Sequence, residues 1–478
     1  MNVIVIGGGI SGLLTARALR EIARAEQRPA PRVFLLEASS VPGGKVQSVR
    51  DSGFLCEWGP AGFLDSVPQT LELSRELGLT PTPANDAAEK RFLARGASGR
   101  RPARLHELSP SPPSLVATPL LSARAKLRLL CEPLVPPRTD ELADESIASF
   151  AKRRIGHEAF ATLIDAMQSG IFAGDPERLS VQSCFPKVVA VEREHGSLIR
   201  GMIKLQIERK RRGQAAGTPG AGPSGRLTSF AGGMQELIDA LASDVGRTLE
   251  LERPVNGLSR AESAGSPFVV HAGEQIAADA VVLACPAPQA AALLEGVDPA
   301  LATLVREIEY APIAVACLGF KRDDVGHPLD GFGFLSPRHA GLRLLGSLFS
   351  STIFNGRAPA GHALLRVMYG GARDRGVLEL SDEEIVGIAR AELTPLLGLR
   401  DAPCFVRVFR HRRAIPQYNV GHGDRLARID ARLAALPGLY LSGNAYRGVG
   451  INDCVKASEP IARAALDHLD RVRARAAA

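Results

Sequence analysis

A chain of 478 residues is too long for one simple hydrophobic core, so two or three lobes are expected. Its 45% hydrophobic and 23% charged residues are ordinary for a soluble globular protein. The formal net charge of +7 suits an anionic substrate or anionic lipid headgroups, while 5% aromatic content and no zinc-finger, helix-turn-helix or stacking motif argue against nucleic acid as a partner.

The chain opens with "NVIVIGGGISGLLTARALR". Asn2–Ile6 read as a buried parallel strand, and Ser11 to about Ala25 as a helix with Leu13, Leu14, Ala18 and Leu19 on its apolar stripe. Between them Gly7, Gly8, Gly9, Ile10, Ser11 and Gly12 form a GxGxxG turn. Gly7 permits the tight turn, Gly9 lets a ligand approach the backbone, and Gly12 lets helix and strand pack closely. The helix N-terminus then offers free N–H groups to a diphosphate. The next strand, "RVFLLEAS", ends in Glu37 and Ala38, about 25 residues after Gly12. A carboxylate there accepts hydrogen bonds from ribose hydroxyls, which points to an adenosine without a 2′-phosphate. A second glycine pair, Gly43-Gly44, followed by Lys45, suits FAD better than NAD.

Further along, "LSPSPPSLVATPLLSARAKLRLLCEPLVPP" (108–137) mixes apolar runs with Arg124, Lys126 and Arg128. It reads equally as an interfacial segment and as a helix packed on its own core. "ERKRRGQAAGTPGAGPSGR" (208–226) is basic, then rich in Gly, Ala and Pro, and reads as a mobile loop. Its charge run Arg209–Arg212 is either solvated or a headgroup contact. "ADAVVLACPAP" (278–288) is expected to be a strand, with Val255 in the strand before it. Near the end, "GLYLSGNAYRGVGINDCVKASEPIARAAL" reads as strand, glycine loop and helix. Gly450, Ile451 and Asn452 open that helix, with Val449 just before them, and such a start can set N–H groups against a flavin N1–C2=O edge, where reduction builds negative charge.

The seven cysteines (Cys56, Cys131, Cys184, Cys285, Cys317, Cys404, Cys454) form no CxxC pair and fit a reducing compartment. A first strand at Asn2 leaves no room for a signal peptide, and no apolar run reaches about 18 residues. The expected location is therefore cytoplasmic, with any membrane contact peripheral. No GxSxG, HExxH or suggestive carboxylate pair appears, so a bound flavin is left to carry the chemistry.

Nine segments resemble, in order, the oxygen-dependent protoporphyrinogen/coproporphyrinogen oxidase family, within the flavin amine oxidase superfamily. They are "EWGPAGFL" (57–64), "EKRFLARG" (89–96), "SGIFAGDPERLSVQSCFP" (169–186), "EREHGSLIRG" (192–201), "SFAGGMQELIDAL" (229–241), "APIAVACLGF" (311–320), "HPLDGFGFLSP" (327–337), "AIPQYNVGH" (414–422) and "GNAYRGVGINDC" (443–454). The resemblance implies an α/β plus α+β composite. A discontinuous, two-dinucleotide-binding (Rossmann-like) FAD domain comes from 1–85, 226–295 and 414–478. A mixed-sheet substrate domain comes from 86–99 and 296–413, a helical, membrane-facing lobe from 100–210, and the mobile loop is 211–225.

The implied activity is oxidation of protoporphyrinogen IX to protoporphyrin IX by O2, releasing H2O2, in haem biosynthesis. One non-covalent FAD per chain is implied, with no metal, in a monomer or homodimer. Arg91 falls on the position that pairs with a substrate propionate. Ile313, Leu329 and Phe354 fall on the apolar walls, and Gly170 and Gly174 on the floor. Gly59, Pro60, Ala61 and Gly62 follow the second glycine pair along the cofactor. Ala61 stands where many relatives have Asn, and His411 stands where related flavoproteins often have an aromatic residue near the flavin. The rivals are a coproporphyrinogen III oxidase, an amine oxidase, for which five Tyr and one Trp poorly supply an aromatic cage, and a non-catalytic FAD-binding scaffold.

Overall fold

The computed structural model describes residues 1–96, 102–108, 118–138, 144–211, 225–261 and 267–477. The loop expected at 211–225 thus lies largely outside the described residues, as do Arg212 at the end of the basic run and 109–117 of the apolar–basic segment.

The strands that position the site are β1 (Asn2–Ile6), β2 (Arg32–Leu36), β3 (Arg91–Arg95), β4 (Arg104–Glu107), β5 (Leu249–Glu250) and β6 (Ala280–Leu283). They continue with β7 (Tyr310–Lys321), β8 (Gly333–Leu335), β9 (Gly346–Phe349), β10 (His362–Gly370), β11 (Phe405–Pro416) and β12 (Leu439–Leu441). The helices used below are α1 (Ile10–Ala25), α2 (Ala123–Leu130), α3 (Asp165–Phe172), α4 (Leu198–Arg211) and α5 (Ile451–Ala477).

A five-stranded parallel sheet runs β5-β2-β1-β6-β12. Val3, Ile4 and Val5 are fully buried, as expected of a parallel strand covered on both faces. Val3 pairs Val33 on one side and Ala280 on the other, so β1 is completed by a strand nearly three hundred residues away. Gly12 explains how α1 can lie so close: a Cβ there would stand 1.9 Å from Gly7 O. Val255 is not in a strand; it lies in the irregular stretch before Gly257–Arg260.

A seven-stranded mixed sheet runs β11-β7-β10-β9-β8-β3-β4, with β3 parallel to β8 and its other pairings antiparallel. Side chains alternate across it. Phe92, Phe334, Leu365 and Val367 pack into one apolar core, leaving their neighbours Arg91, Gly333, Arg366 and Met368 on the opposite face.

A third layer of helices lies over that opposite face. Its anchor is the ion pair of Arg154 and Glu132, both fully buried. Glu132 also accepts the Ser197 hydroxyl (2.5 Å) and the backbone N–H of Leu198 (2.9 Å), so one carboxylate caps α4 and holds the guanidinium. Burial pushes its pKa up, but these hydrogen bonds prevail and hold it below the usual value.

Candidate functional site

The two sheets and the helical layer meet around a cavity of about 930 Å³. At its nucleotide-like end the backbone is bare. A Cβ on Gly9 would meet nothing within 4 Å, so the cavity reaches the main chain there. Gly43 N donates to Gly8 O at 2.8 Å, tying the second glycine loop to the first. Gly43 (φ +105°) and Gly44 (φ +59°) occupy left-handed conformations that favour glycine. Glu37 lines the same end, and its two oxygens each accept one backbone N–H, from Gly8 (2.6 Å) and Ser39 (2.8 Å). Each carboxylate oxygen keeps further lone-pair capacity for a hydroxyl donor.

Two helix N-termini converge on the cavity. Ile10 and Ser11 open α1, whose Gly9 N-cap offers no side chain, and Gly450 and Ile451 open α5. Both ends favour anionic or electron-rich ligand groups. Lys45 lines the same cavity, with Nζ 2.7 Å from Ala414 O and over the Tyr310 ring at 4.8 Å. Burial pulls its pKa down to about 8. His411 also lines the wall; its Nε2 lies 3.0 Å from Trp58 O, so that nitrogen carries the proton, and burial lowers its pKa.

The structure brings most of the expected residues together. Gly7, Gly9, Ile10, Ser11, Glu37, Ala38, Gly43, Gly44, Lys45, Gly59, Pro60, Gly62, Val255, His411, Val449, Gly450 and Ile451 all line the cavity, as do Gly170 and Ile313. Others stand behind it. Gly8 acts through Glu37, and Gly12 through helix packing. Gly174 is pressed against Leu179 and Gln417, where a Cβ would come within 2.5 and 2.6 Å. Ala61 and Phe354 line a separate void of about 10 Å³ that shares Arg366 with the main cavity. Leu329 is buried in the far-face core with φ 54°. Arg91 is exposed on β3, its guanidinium 5.0 Å from the Phe332 ring centroid.

Sequence reasoning missed Arg366. It lines the cavity from β10, donating from Nε to Glu57 O (3.2 Å) and from Nη2 to Gly59 O (2.5 Å). A signal existed: an arginine in the middle of the apolar strand "HALLRVMYG". Behind it lies Glu57, buried and pushed toward a higher pKa by that burial, against the Ser48 hydroxyl (2.5 Å) and Arg357 (3.4 Å).

The wall chemistry fits a flavin adenine dinucleotide: a glycine cradle, a carboxylate for the ribose, and helix ends for the diphosphate and the flavin. The family model of flavin-containing amine oxidoreductases matches residues 10–466. The chain belongs to that family. Within it, the chain is 30% identical to coproporphyrinogen III oxidase of Bacillus subtilis, over 98% of both chains. It is 31% identical to chloroplastic protoporphyrinogen oxidase 1 of Arabidopsis thaliana, over 95% of this chain and 86% of that one. A crystal structure from Exiguobacterium sp. 255-15 superposes with a TM-score of 0.80 at 27% identity, over 98% of this chain and 99% of that one. This member of the flavin-containing amine oxidoreductases is thus a flavin-dependent oxidoreductase with the flavin amine oxidase fold, mixing parallel and antiparallel sheets.

Proposed function

We propose that this chain oxidises a porphyrinogen to the porphyrin, using one non-covalent FAD and O2 and releasing H2O2. The carrying observation is that relatives at 30–31% identity over nearly the whole chain are named for the two porphyrinogen oxidases. Protoporphyrinogen IX is the substrate the sequence segments imply, and coproporphyrinogen III is the second reading, supported by the name of the Bacillus subtilis relative. Six electrons and six hydrogens leave the macrocycle, matched by three O2 reduced to three H2O2.

Bound FAD would supply the hydride acceptor. The chain's own residues do the rest. Glu37 would hold the ribose, and the N-terminus of α1 with Lys45 the diphosphate. The Gly450–Ile451 amides would face the flavin carbonyl edge. Gly170 and Ile313 border the space above the sheet face, and Leu329 and Phe354 support that wall from behind. Arg91 takes a propionate. The apolar lining excludes water. No strong protein base is required, because pyrrole tautomerisation can release the protons.

The same reading assigns the five-stranded sheet to an FAD domain, the seven-stranded sheet to a substrate domain, and the helical layer to a membrane-facing lobe. The support for the last is a set of exposed apolar residues: Leu127, Leu130 and Leu134 around α2, and Met202, Ile203, Leu205 and Ile207 on α4. They stand among Arg124, Lys126 and Arg128. No described helix is long and apolar enough to cross a membrane. We place the protein in the cytoplasm, peripheral on the inner face of the membrane, as a monomer or homodimer. Anaerobic mixing of the flavin-loaded protein with porphyrinogen tests the function: the reading expects the flavin absorbance to bleach, and an unchanged spectrum contradicts it.

A further inference from the structure

The seven-stranded sheet gives the cavity a contiguous patch of wall. Ile313 and Val315 of β7, Arg366 and Met368 of β10 and His411 of β11 form it. The register pairs Ile313 with His411, Val315 with Met368 and Cys317 with Arg366. Leu365 and Val367, which flank Arg366, lie in the far-face core, so the guanidinium leaves the sheet on the cavity face. Among the described residues, Arg366 is the one permanently charged side chain that this sheet brings to the cavity.

Its hydrogen bonds tie it to backbone. Nε and Nη2 donate to Glu57 O and Gly59 O, and His411 Nε2 donates to Trp58 O between them, so two cavity residues fix three successive carbonyls. Trp58, Gly59 and Pro60 line the cavity themselves. Gly59 packs on the second glycine loop, where a Cβ would stand 2.1 Å from Lys45 O. The guanidinium is thus held beside the backbone that continues the cofactor cradle.

Its charge is left over. Arg366 is only 6% exposed and has no ion-pair partner among the described residues; Nη1 meets Met368 Sδ at 4.0 Å. The carboxylate of Glu57 acts on it through space, yet is already engaged by Ser48, by Met234 N (3.2 Å) and by Arg357. The one carboxylate among the lining residues is Glu37, at the end of β2 in the other sheet and held by Gly8 and Ser39. Of the other lining cations, Arg253 is paired with Glu274, and Lys45 is turned to Ala414 O. A buried cation without a counter-charge is unfavourable, and a negative charge arising in the cavity relieves it.

A flavin acquires such a charge on reduction: FAD + 2 e⁻ + H⁺ → FADH⁻ at neutral pH, so the ring gains one negative charge. With the ribose at Glu37 and the diphosphate at the glycine loops, the ring is left the wall beyond them, where the 57–60 segment meets the sheet patch. We propose that Arg366 sets the reduction potential of the flavin. Its uncompensated charge favours the reduced anion over the neutral oxidised ring and lifts the potential above that of free FAD. This rests on the flavin assignment and is independent of which substrate supplies the electrons.

The test reads the midpoint potential of flavin-loaded wild type, Arg366→Gln and Arg366→Lys beside free FAD, by anaerobic titration with dithionite against a reference dye. The Gln variant keeps a donor for a carbonyl but loses the charge, and the Lys variant keeps the charge. Wild type is expected above free FAD. Arg366→Gln should shift the balance about tenfold or more toward oxidised flavin, which is about 30 mV for a two-electron couple. Arg366→Lys should keep most of the wild-type potential. A wild type at or below free FAD, a Gln variant with the wild-type potential, or Gln and Lys variants lowered alike overturns the proposal. Arg366 also holds two backbone carbonyls, so flavin content is measured first. Should a variant retain no flavin, the comparison of wild type with free FAD decides alone. A protein that oxidises neither porphyrinogen would still yield these potentials, so the two readings fail separately.

Discussion

Gly8 donates its backbone N–H to Glu37 Oε2 at 2.6 Å, across 29 residues of sequence. The contact fixes the carboxylate at the end of β2 against the first glycine turn. Ser39 N on the other oxygen completes the clamp, so Glu37 meets a ligand already oriented. Losing it removes hydrogen bonds to a charged group. Glu37→Ala should weaken FAD binding by about 1.5–3 kcal/mol, read by fluorescence titration of the apoprotein. An unchanged affinity would place the ribose elsewhere.

Two glycines of one motif should fail differently. A Cβ on Gly12 would stand 1.9 Å from Gly7 O, so Gly12→Ala must push α1 off the sheet. Overpacking of this kind costs about 1–3 kcal/mol or more, and the thermal midpoint of the apoprotein should fall. A Cβ on Gly9 meets only the open cavity. Gly9→Ala should leave the apoprotein's midpoint near wild type while lowering flavin content. Comparing midpoint and flavin absorbance for the two variants separates the roles.

Lys45 predicts a pH signature. Burial lowers its folded pKa to about 8 from an ordinary 10.5. Between those values the unfolded chain binds more protons, so apoprotein stability rises with pH and is lost as pH falls back toward 8. A bound diphosphate would restore the charged form and flatten the rise. Thermal midpoints of apo- and holoprotein across pH 8 to 10.5 should therefore diverge at the low end. Lys45→Met should remove the rise from the apoprotein. The same rise in both forms would show that no anion faces Lys45.

The helical layer predicts a surface property. Leu127, Leu130 and Leu134 are 63%, 57% and 78% exposed, so replacing all three by serine should alter the fold little. It should weaken co-sedimentation with anionic vesicles at low salt. Wild-type protein that stays in the supernatant would end the membrane reading.

The cofactor end was legible because its parts are local. Strand, GxGxxG turn and helix occupy 24 consecutive residues, and Glu37 follows at the next strand end. Periodicity and glycine spacing report such units directly. The substrate side was not legible in this way. Arg366 comes to the cavity wall only through the pairing of strands far apart in sequence, which no local pattern encodes. Leu329 is apolar whichever face it takes, and it packs in the far core. Val255, expected in a strand, lies in an irregular stretch between two short ones.

The most direct measurement follows porphyrin fluorescence and peroxide together when flavin-loaded protein meets each porphyrinogen in air. The account predicts that porphyrin forms at a rate far above the uncatalysed background, with three H2O2 for each porphyrin. A protein that converts neither porphyrinogen, while its flavin is reduced by a simple amine, would contradict it.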